Sequence, residues 1–177
     1  MAKTKFNPQK DETGKYGYAD INGKVIIPFE YDWICNEILR EKFLWVEKED
    51  KVGMIDLNNQ VIIPFEYEKP IKFNNYSDFL TLRKSGKEGV LDFQGNVIIP
   101  FEYDAIFEKK WGGSIYFNVE KEKKWGLITA QGIKILSVIY DEIYYTTTDV
   151  DADGFEQIIF TAKKGEDWHV VRTRLNN

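Results

Sequence analysis

The seven residues Val25-Ile-Ile-Pro-Phe-Glu-Tyr31 recur letter for letter at Val61 to Tyr67 and at Val97 to Tyr103, at a spacing of 36 residues. A degraded fourth copy, Lys134-Ile-Leu-Ser-Val-Ile-Tyr140, follows at a spacing of 37. Identity of this length in triplicate marks a tandem repeat. A unit of this size cannot bury its apolar face alone, so successive units must share a core.

A second segment keeps the same period. Lys15-Tyr-Gly-Tyr-Ala-Asp20 returns as Lys51-Val-Gly-Met-Ile-Asp56, Lys87-Glu-Gly-Val-Leu-Asp92 and Lys124-Trp-Gly-Leu-Ile-Thr129. In an altered last copy, Asp167 to Arg172, Trp168 holds the aromatic position and His169 replaces the glycine. Asn22-Gly23, Asn58-Asn59, Gln94-Gly95 and Gln131-Gly132 separate the glycine-bearing segment from the apolar one. These pairs predict hairpin turns, because Asn and Gly tolerate positive φ. Alternation along the VIIPFEY strand puts Val25, Ile27, Phe29 and Tyr31 on one apolar face directed at the core. Proline donates nothing to a ladder, so Pro28, Pro64 and Pro100 belong at a bulge, a strand end or an unpaired backbone position. A third strand, at Phe43–Val46, Phe79–Leu82, Tyr116–Val119 and Ile159–Ala162, closes each unit. No amphipathic helix is evident; residues 34–42 hold one helical turn at most.

The expected fold is all-β: tandem three-stranded antiparallel repeats of about 36 residues, with units starting near Lys15, Lys51, Lys87 and Lys124 and a partial unit near Asp167. They form either an open twisted solenoid or a small propeller-like array. The sequence stops soon after the fifth glycine-equivalent strand, which leans toward an open array with modified caps. Residues 1–13 read as a frayed end or capping strand, and 14–177 as one repeat domain. The link from second to third strand varies most, and such variation belongs on exposed loops, often on a binding face.

Composition narrows the function. Aromatic residues make up 15% of the chain and hydrophobic ones 43%, enough for a core rich in strands. The net charge is −5 with no basic block, which disfavours nucleic acid and anionic membranes as partners. One cysteine, Cys35, excludes an internal disulfide. With no apolar leader and no run long enough to span a bilayer, the expected location is the cytoplasm.

Lys124-Trp-Gly-Leu-Ile, a turn with glycine, and Val-Ile-Ile-Pro-x-x-Tyr-Asp together resemble the bacterial WG-repeat family, also called KWG repeats. The resemblance covers roughly residues 14–177. Trp125-Gly126 keeps the signature, while Tyr16, Val52 and Glu88 stand at the other tryptophan positions. The resemblance implies β-rich repeats and an interaction role, and it brings no catalytic residues or cofactor.

Repeated glycines and aromatics read as structure, so non-repeated residues are the better functional candidates. Asp149-Val-Asp-Ala-Asp-Gly154 resembles the first half of a calcium loop, in which Asp149, Asp151 and Asp153 would face one ion. Position 12 of such a loop falls on Phe160 rather than a glutamate, and the simpler reading is a solvated acidic loop. Trp33, Trp111, Tyr144 and Tyr145 lie in the variable links. They are candidates for partner contact, or else covers folded back over the sheets, and Trp111 with Gly112 and Gly113 suggests a loop tip. His169 is the single histidine, and no nucleophile elbow, phosphate loop or Cys/His cluster is present. Glu30, Glu66 and Glu102 follow the repeat and suit solvated faces better than a glycosidase pair.

The expectation is therefore a non-enzymatic protein-interaction module. Its concrete version is an acidic inhibitor or immunity-like protein that masks a basic partner. The competing class is a glycan-binding protein or hydrolase using the loop aromatics and carboxylates.

Overall fold

A computed structural model describes residues 7–68, 77–111 and 113–174. Among these residues there is no helix, and seventeen strands form five small antiparallel sheets, none closed into a barrel. In sheet order, the first contains β1 (Gln9–Lys10), β2 (Tyr16–Ala19) and β3 (Val25–Tyr31). The second contains β4 (Trp33–Ile34), β5 (Phe43–Lys48), β6 (Lys51–Asp56) and β7 (Val61–Tyr67). The third contains β8 (Phe79–Lys84), β9 (Lys87–Asp92) and β10 (Val97–Tyr103). The fourth contains β11 (Ala105–Trp111), β12 (Ser114–Lys121), β13 (Lys124–Thr129) and β14 (Lys134–Tyr140). The fifth contains β15 (Glu142–Val150), β16 (Glu156–Lys164) and β17 (Asp167–Arg174).

The all-β repeat expectation holds, but the sheets are out of phase with the units read from sequence. The second, third and fourth sheets each join a third strand to the glycine strand of the next unit and then to its VIIPFEY-type strand, and the fifth joins the last third strand to the altered glycine strand. Local turns decide this. Two residues suffice between β5 and β6, where Glu49 and Asp50 both take positive φ, and between β12 and β13, where Glu122 and Lys123 do. That is the two-residue hairpin geometry whose twist matches paired strands. The links expected as loops also differ: residues 105–111 and 142–150 are strands that add to the sheets. No helical turn forms in 34–42; Leu39 bridges to Phe43 instead. Residues 9–10 form a short strand on β2, while residues 1–6 and most of the link from Tyr67 to Phe79 lie outside the described residues.

The glycine and VIIPFEY strands meet through a bulge. Tyr16 pairs with Tyr31 and Tyr18 with Ile27, so two steps on β2 span four on β3. The same offset recurs at Val52–Tyr67 with Met54–Ile63, and at Trp125–Tyr140 with Leu127–Leu136. The surplus residues include Pro28, Pro64 and Ser137, which explains why proline is tolerated inside the strand. The surplus also breaks the expected alternation. Ile27 and Tyr31 are buried, Phe29 is only half-buried, and Val25 is exposed, a pattern repeated in β7 and β10.

The bulge also accounts for the glycine. A Cβ on Gly53 would sit 2.7 Å from the Ile63 carbonyl oxygen. On Gly17, Gly89 and Gly126 it would meet the carbonyl oxygens of Ile27, Ile99 and Leu136 at 2.8–2.9 Å. The backbone of one strand thus passes over the glycine of the other, leaving no room for a side chain.

A repeated aspartate ties successive sheets together. Asp32, after the first VIIPFEY strand, accepts from Lys15 Nζ at 2.5 Å and from the Glu49 backbone N–H at 2.8 Å. Asp104 does the same with Lys87 and the Glu122 N–H, and Asp141 with Lys124 and the Gly165 N–H. The bond from lysine is the main reason these carboxyls stay below the usual carboxylate range. Their stabilisation is therefore present above that range and is lost as pH falls through it.

The chain divides into two compact units, residues 1–85 with 90–97 and residues 86–89 with 98–177, the boundary running within the third sheet. The core of the first includes Ile27, Tyr31, Ile34, Leu44, Val46 and Ile55. The core of the second is built around Tyr116, Leu127, Leu136, Ile158, Phe160 and Ala162.

The buried tyrosines make a prediction about alkaline stability. Tyr31, Tyr67 and Tyr103 are pushed from 10.0 up to about 12, first by burial and then by the neighbouring Glu30, Glu66 and Glu102. Below pH 10.0 their contribution is complete. Between 10.0 and about 12 the unfolded chain ionises while the folded one resists, so stability falls through that window. Thermal melts followed to pH 12 should show this decline, and Tyr31→Phe should make it shallower. An unchanged slope in the variant would remove Tyr31 as a cause.

Candidate functional site in the terminal sheet

The fifth sheet has an apolar inner face and a mixed outer one. Ile158, Phe160 and Ala162 point inward from β16 and are fully buried. The alternate positions face out. Cross-strand pairing aligns Tyr144, Thr161 and Val170 in one row, and Glu142, Lys163 and Trp168 in the next. Thr147, Ile159 and Arg172 form a third row. Tyr144, Trp168 and Val170 are each half-exposed or more, at 50%, 54% and 54%. The Tyr144 and Trp168 rings lie 5.9 Å apart, and Lys163 Nζ is 5.9 Å from the Trp168 ring centre. The Tyr144 hydroxyl donates to Glu142, a bond that raises its pKa. The result is a small aromatic and aliphatic surface carrying Lys163 and Arg172.

Tyr145 faces the other way. Its ring stacks on Trp111 at 5.5 Å with an 11° tilt, and Trp111 also packs on Phe160 and Tyr116. Trp111 therefore ends β11, paired with Ser114, and covers the core edge of its own unit rather than standing at a loop tip. Gly112 lies outside the described residues. Trp33, on β4 in the first unit, pairs with Glu47 and is exposed. Of the four candidate aromatics, the structure brings together Trp111 and Tyr145 and directs Tyr144 to the outer face. Trp168, Val170 and Arg172 complete that face. Sequence reading passed over them as an altered repeat copy, although alternation along β17 was the signal for a two-sided strand.

The aspartate cluster is a turn. Asp151 Oδ1 accepts from the backbone N–H groups of Asp153 and Phe155, and Gly154 takes positive φ. The same bonds recur at Asp11, Asp20, Asp56 and Asp92, each accepting from the N–H groups two and four residues on. This is a three-residue hairpin loop with a left-handed residue closing it. Arg174 pairs with both Asp151 and Asp153, and Asp149 accepts from the Val150 N–H. Phe160, at loop position 12, is a core residue. Among the described residues no group of three or more His, Cys, Asp and Glu side chains is placed to hold a metal ion. The recurring Asp-x-x-Gly spacing was the available signal for this turn.

Other singled-out residues also take structural places. Glu30, Glu66 and Glu102 each pair with a lysine, Lys48, Lys84 and Lys121, at 2.9 Å. The Cys35 Sγ donates to the Glu37 carbonyl and accepts from the Trp45 N–H, and burial pushes its thiol pKa up. His169 packs edge-on against Tyr140 at 5.8 Å. A recess of 320 Å³ beside β12 is lined by Ser114, Tyr116, Thr129, Gln131, Thr173 and Arg174 among others.

A family model described as "WG containing repeat" matches residues 16–51, 53–87 and 89–125. The chain belongs to the WG-repeat family. No curated protein matches it significantly. The WG repeats account for what the structure does with the shared residues: lysine and aspartate staple neighbouring sheets, and glycine admits the bulged strand. The same bulge at Gly126 carries the WG plan into β13 and β14, beyond the last matched segment. The fifth sheet departs from it, and there the exposed aromatic face lies.

Proposed function

We propose that this WG-repeat protein is a non-enzymatic protein-interaction module that binds through the outer face of its fifth sheet. The supporting observation is that Tyr144, Trp168 and Val170 are exposed side by side, while the repeated Ile, Tyr, Glu and Asp side chains are engaged in internal packing and ion pairs. Val25, Val61 and Val97 are the only large apolar side chains exposed on the VIIPFEY strands. Aromatic side chains give large contact area at low entropy cost. An inhibitor or immunity-like role is the concrete version. A basic partner is suggested by the net charge of −5 alone; the face itself carries Lys163 and Arg172, so its own contact would favour a partner carboxylate.

The test compares wild-type protein with a Tyr144→Ser/Trp168→Ser double variant in capture experiments at low and high salt. A stoichiometric partner retained by the wild type and lost by the variant is the expected result. Capture that is identical for both would sink the proposed face. Carbohydrate binding is the second reading, supported by the hydroxyl and amide groups lining the recess at Ser114, Thr129 and Gln131. A glycan array with no bound sugar would remove it.

A further inference from the structure

The open feature of the fifth sheet is its edge as well as its face. Four glycine strands, β2, β6, β9 and β13, each have a VIIPFEY-type strand as a neighbour, namely β3, β7, β10 and β14. β17 holds the corresponding place beside β16, and among the described residues no strand lies on its far side. Unpaired N–H and C=O groups along such an edge are a template for another strand, and proteins usually blunt them. Two other edges of this unit are irregular: β14 carries the bulge, and β15 shifts register between Tyr145 and Thr147. β17 instead pairs with β16 through eight residues in unbroken register, from Asp167 to Arg174, and contains neither proline nor glycine.

His169 determines what kind of strand can dock. It stands where the other units have glycine. At Gly126 even a Cβ would come within 2.9 Å of the carbonyl oxygen of the bulged partner strand. A VIIPFEY-type strand therefore has no room on β17, from this chain or a second copy. A regular extended strand, which pushes no carbonyl across the pairing plane, does fit. Its side-chain chemistry follows from the outer row of β17. Trp168 and Val170 are exposed and apolar. Arg172 follows on the same face, with no carboxylate partner among the described residues, whereas Arg174 is held by Asp151 and Asp153.

We propose that β17 binds an extended segment of another protein by strand addition, with apolar side chains opposite Trp168 and Val170 and a carboxylate opposite Arg172. This deepens the protein-binding reading and rests on it. Main-chain hydrogen bonds give the affinity, and alternate side chains give the selection. Cross-strand pairing puts the segment's selecting residues at alternate positions: acidic, any, apolar, any, apolar when antiparallel, and the reverse when parallel.

The experiment pans a random linear peptide library on the full-length protein and then rebuilds the best peptide with single N-methylated amides. Enriched peptides should carry that alternating pattern. Methylation of every second amide should weaken binding about tenfold or more per site, with little effect at the amides between, because only alternate N–H groups face β17. Arg172→Glu should cost about tenfold, and lysine in place of the peptide carboxylate should restore it. Arg172 is exposed, so its variant should melt like the wild type. Failure to enrich the pattern, or methylation effects without alternation, would overturn strand addition. Peptides that depend on Tyr144 and Trp168 but show no alternation would leave the binding face standing while ending this inference. A wild-type dimer that Arg172→Glu dissociates would identify a second copy as the occupant and also end it.

Discussion

Gly53→Ala should destabilise the protein by about 3 kcal/mol or more, because the added Cβ would sit 2.7 Å from the Ile63 carbonyl oxygen. A backbone oxygen inside a bulged pair cannot rotate away as a flexible side chain can. Either the bulge unwinds, which moves Tyr67 out of register with Val52, or the two strands separate. The control is Gly23→Ala. Gly23 sits at φ 79° with open space around it, so only the left-handed conformation is penalised, at about 1–2 kcal/mol. Urea unfolding of both variants tests the comparison. If Gly53→Ala proved no worse than Gly23→Ala, the close approach of the two strands would not be what requires the repeated glycine.

Phe160→Ala should cost about 3–5 kcal/mol. Phe160 is fully buried at the centre of the second unit's aromatic cluster, where it touches Trp111, Tyr116 and Tyr145. Removing its ring leaves a cavity with stiff aromatic walls, which collapse poorly. Tyr144→Ala on the outer face of the same sheet is the counterpart, and surface changes of this sort usually stay within about 0.5 kcal/mol. The pair thus separates the inner face, which holds the sheet together, from the outer face, which is the proposed contact surface. Chemical denaturation reads both. A large loss at Tyr144 would mean that the outer face also serves folding and would weaken its assignment as a contact surface.

Asp149, Asp151 and Asp153 show how one local spacing fits two structures. Carboxylates at alternate positions before a glycine satisfy a cation loop, but an aspartate with glycine three residues later also satisfies a hairpin turn. Asp151 follows the second pattern, in common with Asp20 and Asp92. Within a repeat protein, comparison between copies carries more weight than resemblance to an outside motif.

Much was legible from the residues alone. Repetition of Val25 to Tyr31, the glycines in register and the turn residues between them determined an all-β chain of short antiparallel strands, because period, turn chemistry and strand propensity are local properties. Tertiary structure decided the remainder. The phase of the sheets depended on which strands a two-residue turn could join. The burial of Ile27 and Tyr31 but not Val25 depended on a bulge that appears only when two strands are paired. The sides taken by Tyr144 and Tyr145 depended on the register of β15 against β16. Pairing joins residues far apart in the chain, and a one-residue shift reverses the faces of a strand, so those outcomes were set by the partner strands rather than by any segment read alone.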